Sequence, residues 1–253
     1  MYAARRENVA TRTDPAHRPA SYGLEPHALW ERVAAKQEQD WRTLRARVGE
    51  PQPHHALRLC MVRHGETTTN ARGLVTGTTD APLTPRGRDQ AVAAGRKLRG
   101  RTFDLAIHSP LRRSQETLAI VLRNGPKAAA VMCDKRIAER SLGAIELTEA
   151  APIAAYARGD LLYAPDGGED YLSVARRCFD FLLDLRDLAV AVSDPLSVLV
   201  CTHVGPMRVL DGILTAATDA TDVLAMHFNN SSPAERLVGE LTFPPFVEAQ
   251  LDG

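Results

Sequence analysis

A three-layer α/β/α fold, with helices on both faces of a mostly parallel central sheet, is predicted by three features of the chain. Short apolar runs at Leu57–Val62, Phe103–Ile107 and Ser197–Cys201 stop abruptly at polar residues, as buried strands do. Stretches with apolar residues at helical spacing alternate with them, the pattern of crossover connections. Two of the runs lead straight into histidine, at His64 and His203, and the third leads into His108-Ser109. An open sheet of this kind binds its ligands just beyond the carboxyl ends of the strands.

Bulk properties narrow the choice further. With 253 residues, 44% of them hydrophobic, the chain can build one substantial core. Thirty-one basic residues balance thirty-one acidic ones, which argues against nucleic acid or an anionic membrane surface as partner. Any anion site must therefore be local. Nothing approaches membrane-spanning length, and Met1-Tyr-Ala-Ala-Arg-Arg-Glu7 is not followed by the apolar segment of a secretion signal. Cys60, Cys133, Cys178 and Cys201 make no metal-binding or catalytic motif, so they are expected to be free, buried thiols. A soluble, cytoplasmic protein is the expectation.

In chain order, residues 1–25 read as a mobile leader, and Pro26 starts a helix carrying Leu29, Trp30, Val33, Ala34, Trp41, Leu44 and Val48 on one stripe. That stripe needs cover, from its own domain in the favoured reading or from a second copy in a homodimer. Gly49 and Pro51-Gln-Pro53 end it, which divides the chain into residues 1–54, leader and amphipathic helix, and residues 55–253, the main domain. After His64 a long loop dense in hydroxyls, glycine and asparagine runs to Pro82, and a loop of that length is more often functional than connective. Thr84 and Pro85 cap and open a helix that stops at Gly100.

Ser109-Pro110 is expected to open the next helix, to about Asn124-Gly125, with Arg112 and Arg113 in its first turns. Two cations at the positive end of a helix are unfavourable unless an anion is expected there. Arg112 reads as solvent-facing and His108 as structural. A strand is expected over 131–139, running into Glu139, followed to Gly168 by an insertion covering a site. A long helix over Glu169–Val192, a turn at Asp194-Pro195, the strand to Cys201 and a helix from Pro206 follow. A last strand is expected between Phe228 and Phe243.

If the three strands are neighbours, Arg63, His64, Arg113 and His203 meet over one sheet edge. Arginine forks suit phosphate, and a neutral imidazole between them is a nucleophile toward phosphorus. The order Arg63-His64-Gly65-Glu66-Thr67, then Asn70, Gly77, Asp80 to Thr84 and Gly87, resembles the histidine phosphatase superfamily, which includes phosphoglycerate mutase-like enzymes. Ser109 to Thr117, Ile137-Ala-Glu139 with Gly143, Gly168-Glu169 and Val200-Cys-Thr-His203-Val-Gly205 continue the resemblance over residues 57–240.

The resemblance implies that His64 is the phosphorylated nucleophile, that Arg63, Arg113 and His203 bind the transferred group, and that Glu139 protonates the leaving oxygen. Asn70, Thr76, Gly77, Arg140 and Val204 become candidate substrate-binding residues, with Tyr156, Arg158 and Tyr163 as further candidates for specificity. Neither cofactor nor metal is expected, because arginine and histidine already neutralise the phosphate. Ala164-Pro-Asp-Gly-Gly-Glu169 is similar to phosphatase members rather than mutases. Leu74, where many relatives place arginine, and Ala144-Ile145-Glu146-Leu147, where Trp-x-Gly is common, depart from the pattern. Hydrolysis of a small phosphorylated metabolite is thus the expected activity. A mutase-like phosphotransferase is one alternative, and a non-catalytic phospholigand-binding or interaction module built on the Trp30/Trp41 helix is the other.

Overall fold

The apolar runs do form adjacent strands. A computed structural model describes residues 40–48, 57–192, 195–238 and 241–251. Its strands are β1 (Leu57–Arg63), β2 (Thr102–His108), β3 (Lys127–Cys133), β4 (Leu196–Thr202) and β5 (Pro233–Val238), in the order β3-β2-β4-β1-β5. The first four are mutually parallel, and β5 closes one edge antiparallel to β1. Alternation along each strand feeds two cores. Leu59, Met61, Leu105, Ile107, Val198 and Val200 face one way, and Cys60, Val62, Ala106, Leu199 and Cys201 the other.

The helices in chain order are α1 (Trp41–Val48), α2 (Thr68–Ala71), α3 (Pro85–Lys97), α4 (Arg112–Asn124), α5 (Ala154–Ala157), α6 (Tyr171–Val192), α7 (Val204–Leu214), α8 (Ala220–Ala225) and α9 (Pro245–Leu251). α3 and α4 cover the second core; α1, α6, α7, α8 and α9 cover the first. This is the expected three-layer arrangement. α3 begins as predicted, with Thr84 Oγ1 accepting from Gly87 N at 2.9 Å and Pro85 in the first turn. Among the described residues no helix is long and apolar enough to cross a membrane.

Of the N-terminal expectations, the leader, Leu29, Trp30, Val33, Ala34 and the Pro51–Pro53 linker lie outside the described residues. α1 packs on its own domain: Leu44 is buried, and Trp41 stacks edge-on against Phe243 at 5.5 Å and lies 6.3 Å from Phe179.

Several boundaries differ from expectation. β3 starts at Lys127 and ends at Cys133, well before Glu139, because Asp134 caps a 3-10 turn over Lys135–Ile137 through Arg136 N at 2.7 Å. As an edge strand rich in alanine and alternately exposed, it carries little apolar signal. Cys133 is consequently exposed, whereas Cys60, Cys178 and Cys201 are buried as expected. The last strand is only β5, and the described residues end in α9, which its two prolines had concealed. Leu147 adopts φ of +65°, a left-handed conformation that costs a branched residue about 1–2 kcal/mol, and its side chain is exposed.

Candidate active site

Parallel pairing brings the two histidines together. β1 and β4 run in register to Arg63↔Thr202, so the next residue on each strand, His64 and His203, stand side by side with ring centroids 5.1 Å apart. His64 N continues the ladder by donating to the Thr202 carbonyl at 3.0 Å, and Asn230 Nδ2 donates to the His64 carbonyl at 2.8 Å. The turn after His64 is closely packed. A Cβ on Gly65 would fall 2.2 Å from the Gly87 carbonyl oxygen, and one on Gly87 would fall 2.1 Å from that of Glu66. Only glycine fits at either position.

The proton positions follow from the partners. His64 is 3% exposed, and its Nδ1 lies 2.7 Å from the Gly65 carbonyl oxygen, an acceptor only. Nδ1 therefore carries the hydrogen and Nε2 keeps its lone pair. Burial, then the charges of Arg113 and Arg63, hold this imidazole well below the usual histidine pKa, so it is neutral. On the neighbouring ring, His203 Nε2 lies 2.5 Å from Ser109 Oγ, which also accepts from Leu111 N at 3.3 Å. The hydroxyl hydrogen has no other acceptor among the described residues and goes to Nε2. His203 then presents Nδ1–H.

Both arginines are held by carbonyls rather than by carboxylates. Arg113, fully buried in the first turn of α4, donates from Nη1 to Thr79 O at 2.9 Å and from Nη2 to Gly77 O at 2.6 Å. Arg63 donates from Nη1 to Phe228 O at 2.9 Å. Among the described residues Arg63 Nε, Arg113 Nε and His203 Nδ1 are buried donors with no hydrogen-bond partner. Such donors are rare in folded proteins. All three belong to side chains next to His64: the charges of Arg63 and Arg113 act on its imidazole, and the His203 ring stacks beside it.

Glu139 faces this cluster from the loop after β3. Its Oε1 accepts from Arg140 N at 2.9 Å and from Gly205 N, in the first turn of α7, at 3.2 Å. Its Oε2 makes no hydrogen bond among the described residues. A Cβ at Gly205 would lie 2.4 Å from Oε1, so the glycine is what lets the carboxylate reach the helix end. Burial lowers the pKa of Arg63 and Arg113, and the charge of Glu139 opposes that effect at both. One side chain thus reaches both cations electrostatically, with one oxygen tethered and one open.

The sequence comparison agrees with this geometry: the model of the histidine phosphatase superfamily (branch 1) matches residues 59–233. The chain belongs to the histidine phosphatase superfamily.

Among relatives in this superfamily, a glucosyl-3-phosphoglycerate phosphatase of Mycolicibacterium vanbaalenii is 38% identical over 169 residues, 62% of this chain and 73% of that protein. A 2,3-bisphosphoglycerate-dependent phosphoglycerate mutase of Borreliella burgdorferi is 37% identical over 145 residues, 54% of each chain. The chain therefore spans about half the length of that curated relative. A solved mycobacterial glucosyl-3-phosphoglycerate phosphatase complexed with VO3 superposes with a TM-score of 0.61 at 30% identity, covering 71% of this chain and 90% of that one.

The other candidate residues of this histidine phosphatase superfamily member fall into different places. Asn70 closes a capping box on α2, accepting from Thr67 N at 3.2 Å, and its amide lies 3.5 Å from Thr76 Oγ1. Thr76 pairs with Thr69 at 2.6 Å, and Gly77 supplies the carbonyl that holds Arg113. Val204 is the first residue of α7 and half-buried. Arg140 is 2% exposed and turns its donors inward, to Glu169 O, Tyr156 Oη and Tyr163 O, with Tyr171 packed against its guanidinium at 4.5 Å. These contacts build the wall of the insertion.

Sequence reasoning missed three residues. Ser109 was expected as a helix cap, but α4 begins three residues later and the hydroxyl sets the His203 tautomer instead. Glu146 accepts from Thr78 N, Thr78 Oγ1, Thr79 N, Thr79 Oγ1 and Leu142 N, pinning the loop that holds Arg113. Burial would raise its pKa, but the bonds from Thr79, Leu142 and Thr78 outweigh that and lower it. Arg177 binds the carbonyls of Arg136 and Ala138, just before Glu139, and is itself clamped by Glu169. The spacing of an acid eight residues before an arginine at a helix start was the available signal.

The buried histidines carry a pH consequence. His203, like His64, is held well below the ordinary histidine value of 6.5, by burial first and then by His64, Arg113, Arg177 and Arg63. The unfolded chain binds these protons near 6.5 while the folded chain refuses them, so acidification favours unfolding. Stability is expected to be full above that value and to decline as pH falls from about 6.5 toward the depressed folded values. Calorimetry across pH 5 to pH 8 checks this, and a His64→Asn variant should show a shallower decline.

Proposed function

We propose that this chain is a phosphomonoester hydrolase that works through a phosphohistidine at His64 on a small phosphorylated metabolite. The observation that carries the reading is the neutral His64, with Nε2 free, set among three unpaired buried donors of Arg63, Arg113 and His203. His64 Nε2 attacks phosphorus in line, and the phosphorus–oxygen bond to the leaving group breaks. Glu139, in its protonated form, delivers its proton to the departing alkoxide and is left as the carboxylate. The Glu139 carboxylate then takes a proton from water, whose oxygen attacks the phosphohistidine, breaking the nitrogen–phosphorus bond and releasing phosphate. Positioning and charge supply the catalysis, as is usual in phosphoryl transfer.

Hydrolysis is favoured over mutase action by the segment Ala164-Pro-Asp-Gly-Gly-Glu169, which is similar to phosphatase members, and by the 30% identity to a solved phosphatase of the superfamily. The phosphatase neighbours support a sugar or acid phosphate as the substrate class. Balanced charge supports a metabolite over nucleic acid, and four free cysteines support a cytoplasmic location.

A rapid-quench experiment with a radiolabelled phosphate ester tests the reading. Acid-labile, base-stable label on the protein, lost in His64→Asn, short-lived in water and unaffected by chelators, is the expected outcome. Label that persists for minutes and moves to an added phosphoglycerate instead of water would establish the mutase reading, and binding without any turnover would establish the non-catalytic one.

A further inference from the structure

α6 carries Arg177, Asp180, Asp184 and Asp187 at spacings of three and four, which places them on one ridge. One flank of that ridge holds the segment leading to Glu139. Arg177 donates to Arg136 O at 2.6 Å and Ala138 O at 2.7 Å, and Thr202 Oγ1 donates to Ile137 O at 2.6 Å. The Arg136 guanidinium reaches Asp180 Oδ2 at 2.7 Å, Asp184 Oδ2, and Asp134 Oδ2 at 2.8 Å.

The other flank holds α1. Arg47 donates to Asp180 Oδ1 at 2.9 Å, Asp184 Oδ1 at 2.8 Å and Asp187 Oδ2 at 2.7 Å. Asp180 and Asp184, both buried, therefore give one oxygen to Arg136 and the other to Arg47. Two carboxylates bridge two guanidinium groups. α1 lies before residue 59, where the superfamily match begins, so this bridge joins a segment outside the match to the segment that presents Glu139.

We infer that α1 is a positioning element for the proton donor: Arg47, through the shared carboxylates of Asp180 and Asp184, holds Arg136 and with it the orientation of Glu139. The inference rests on the reading of Glu139 as proton donor. Without Arg47, Arg136 is left facing Asp134, Asp180 and Asp184. Like charges in a buried site then repel, and a guanidinium drawn among three carboxylates shifts the short turn that it anchors. Glu139 follows that turn by two residues. His64, Arg63, Arg113 and His203 sit on other elements and keep their places.

Leaving-group dependence separates this role from a merely structural one, because a proton donor matters for a poor leaving group and not for a good one. In the full chain, below the melting onset of each variant, Arg47→Met is expected to lower kcat for an alkyl phosphate about tenfold, a fraction of the full general-acid effect. With 2,4-dinitrophenyl phosphate the change should stay within about twofold, and Arg47→Lys should recover part of the loss. Glu139→Gln is the reference and should show the same selectivity at about 100-fold or more.

Equal slowing on both substrates in Arg47→Met, or no slowing on either, while Glu139→Gln is selective, overturns the role of Arg47 alone. Absence of selectivity in Glu139→Gln overturns the proton-donor reading and this inference with it. Should Arg47→Met fail to fold, Asp187→Asn removes one anchor of Arg47 at a half-exposed position and is read in the same way.

Discussion

Replacing His64 by Asn is expected to reduce turnover of an alkyl phosphate by about 10⁵-fold or more, the scale of losing a covalent nucleophile. The argument is one of uniqueness. His203 lies beside His64, but its Nε2 is bound to Ser109 Oγ and its Nδ1 carries a hydrogen, so it cannot take over the attack. Asn keeps a donor for the Gly65 carbonyl and fills much of the same space, so the strand end should survive. Steady-state kinetics with circular dichroism and vanadate binding as folding controls check the result. Retention of normal turnover would remove the phosphohistidine from the proposed mechanism.

Arg113→Lys carries the second largest expected loss, about 10²–10³ in kcat/KM. A guanidinium can bind Gly77 O and Thr79 O through its two terminal nitrogens and still keep a third, buried donor at Nε that has no partner among the described residues. A single ammonium cannot fill those three directions, and in that buried position it would be hard to keep solvated. Inhibition by inorganic phosphate should weaken in parallel. Arg112→Lys, one residue earlier and exposed, is the control and should leave kcat/KM within about twofold.

Much of this arrangement was legible because the chemistry sits where apolar patterns stop. His64 and His203 each follow a buried strand by one residue, and Arg113 lies in a first helical turn where a cation needs a reason. What the residues alone concealed is held by contacts between distant segments. Arg177 and the carbonyls it grips are about forty residues apart, and the bridge from Arg47 to Asp184 spans 137. Local spacing carries no trace of such partners. Arg140 shows the opposite limit: a charged residue beside Glu139 reads as a ligand for an anion, yet its guanidinium is buried among tyrosines and carbonyls. The edge strand β3 was misplaced and the helix α9 missed for a simpler reason, since neither has a sharp apolar boundary.

The distance between the two histidines has a further meaning. At 5.1 Å it is close to the spacing of neighbouring strands, about 4.8 Å, so the separation of the two rings is inherited from the backbone ladder of β1 and β4. A loop could breathe without altering it; a central ladder cannot part without the whole domain coming undone. Amide exchange at Met61, Val62 and Val200 should therefore report the integrity of the phosphate site and of the molecule as one event. Residues 140–168, which build the wall of the insertion, lie outside that ladder.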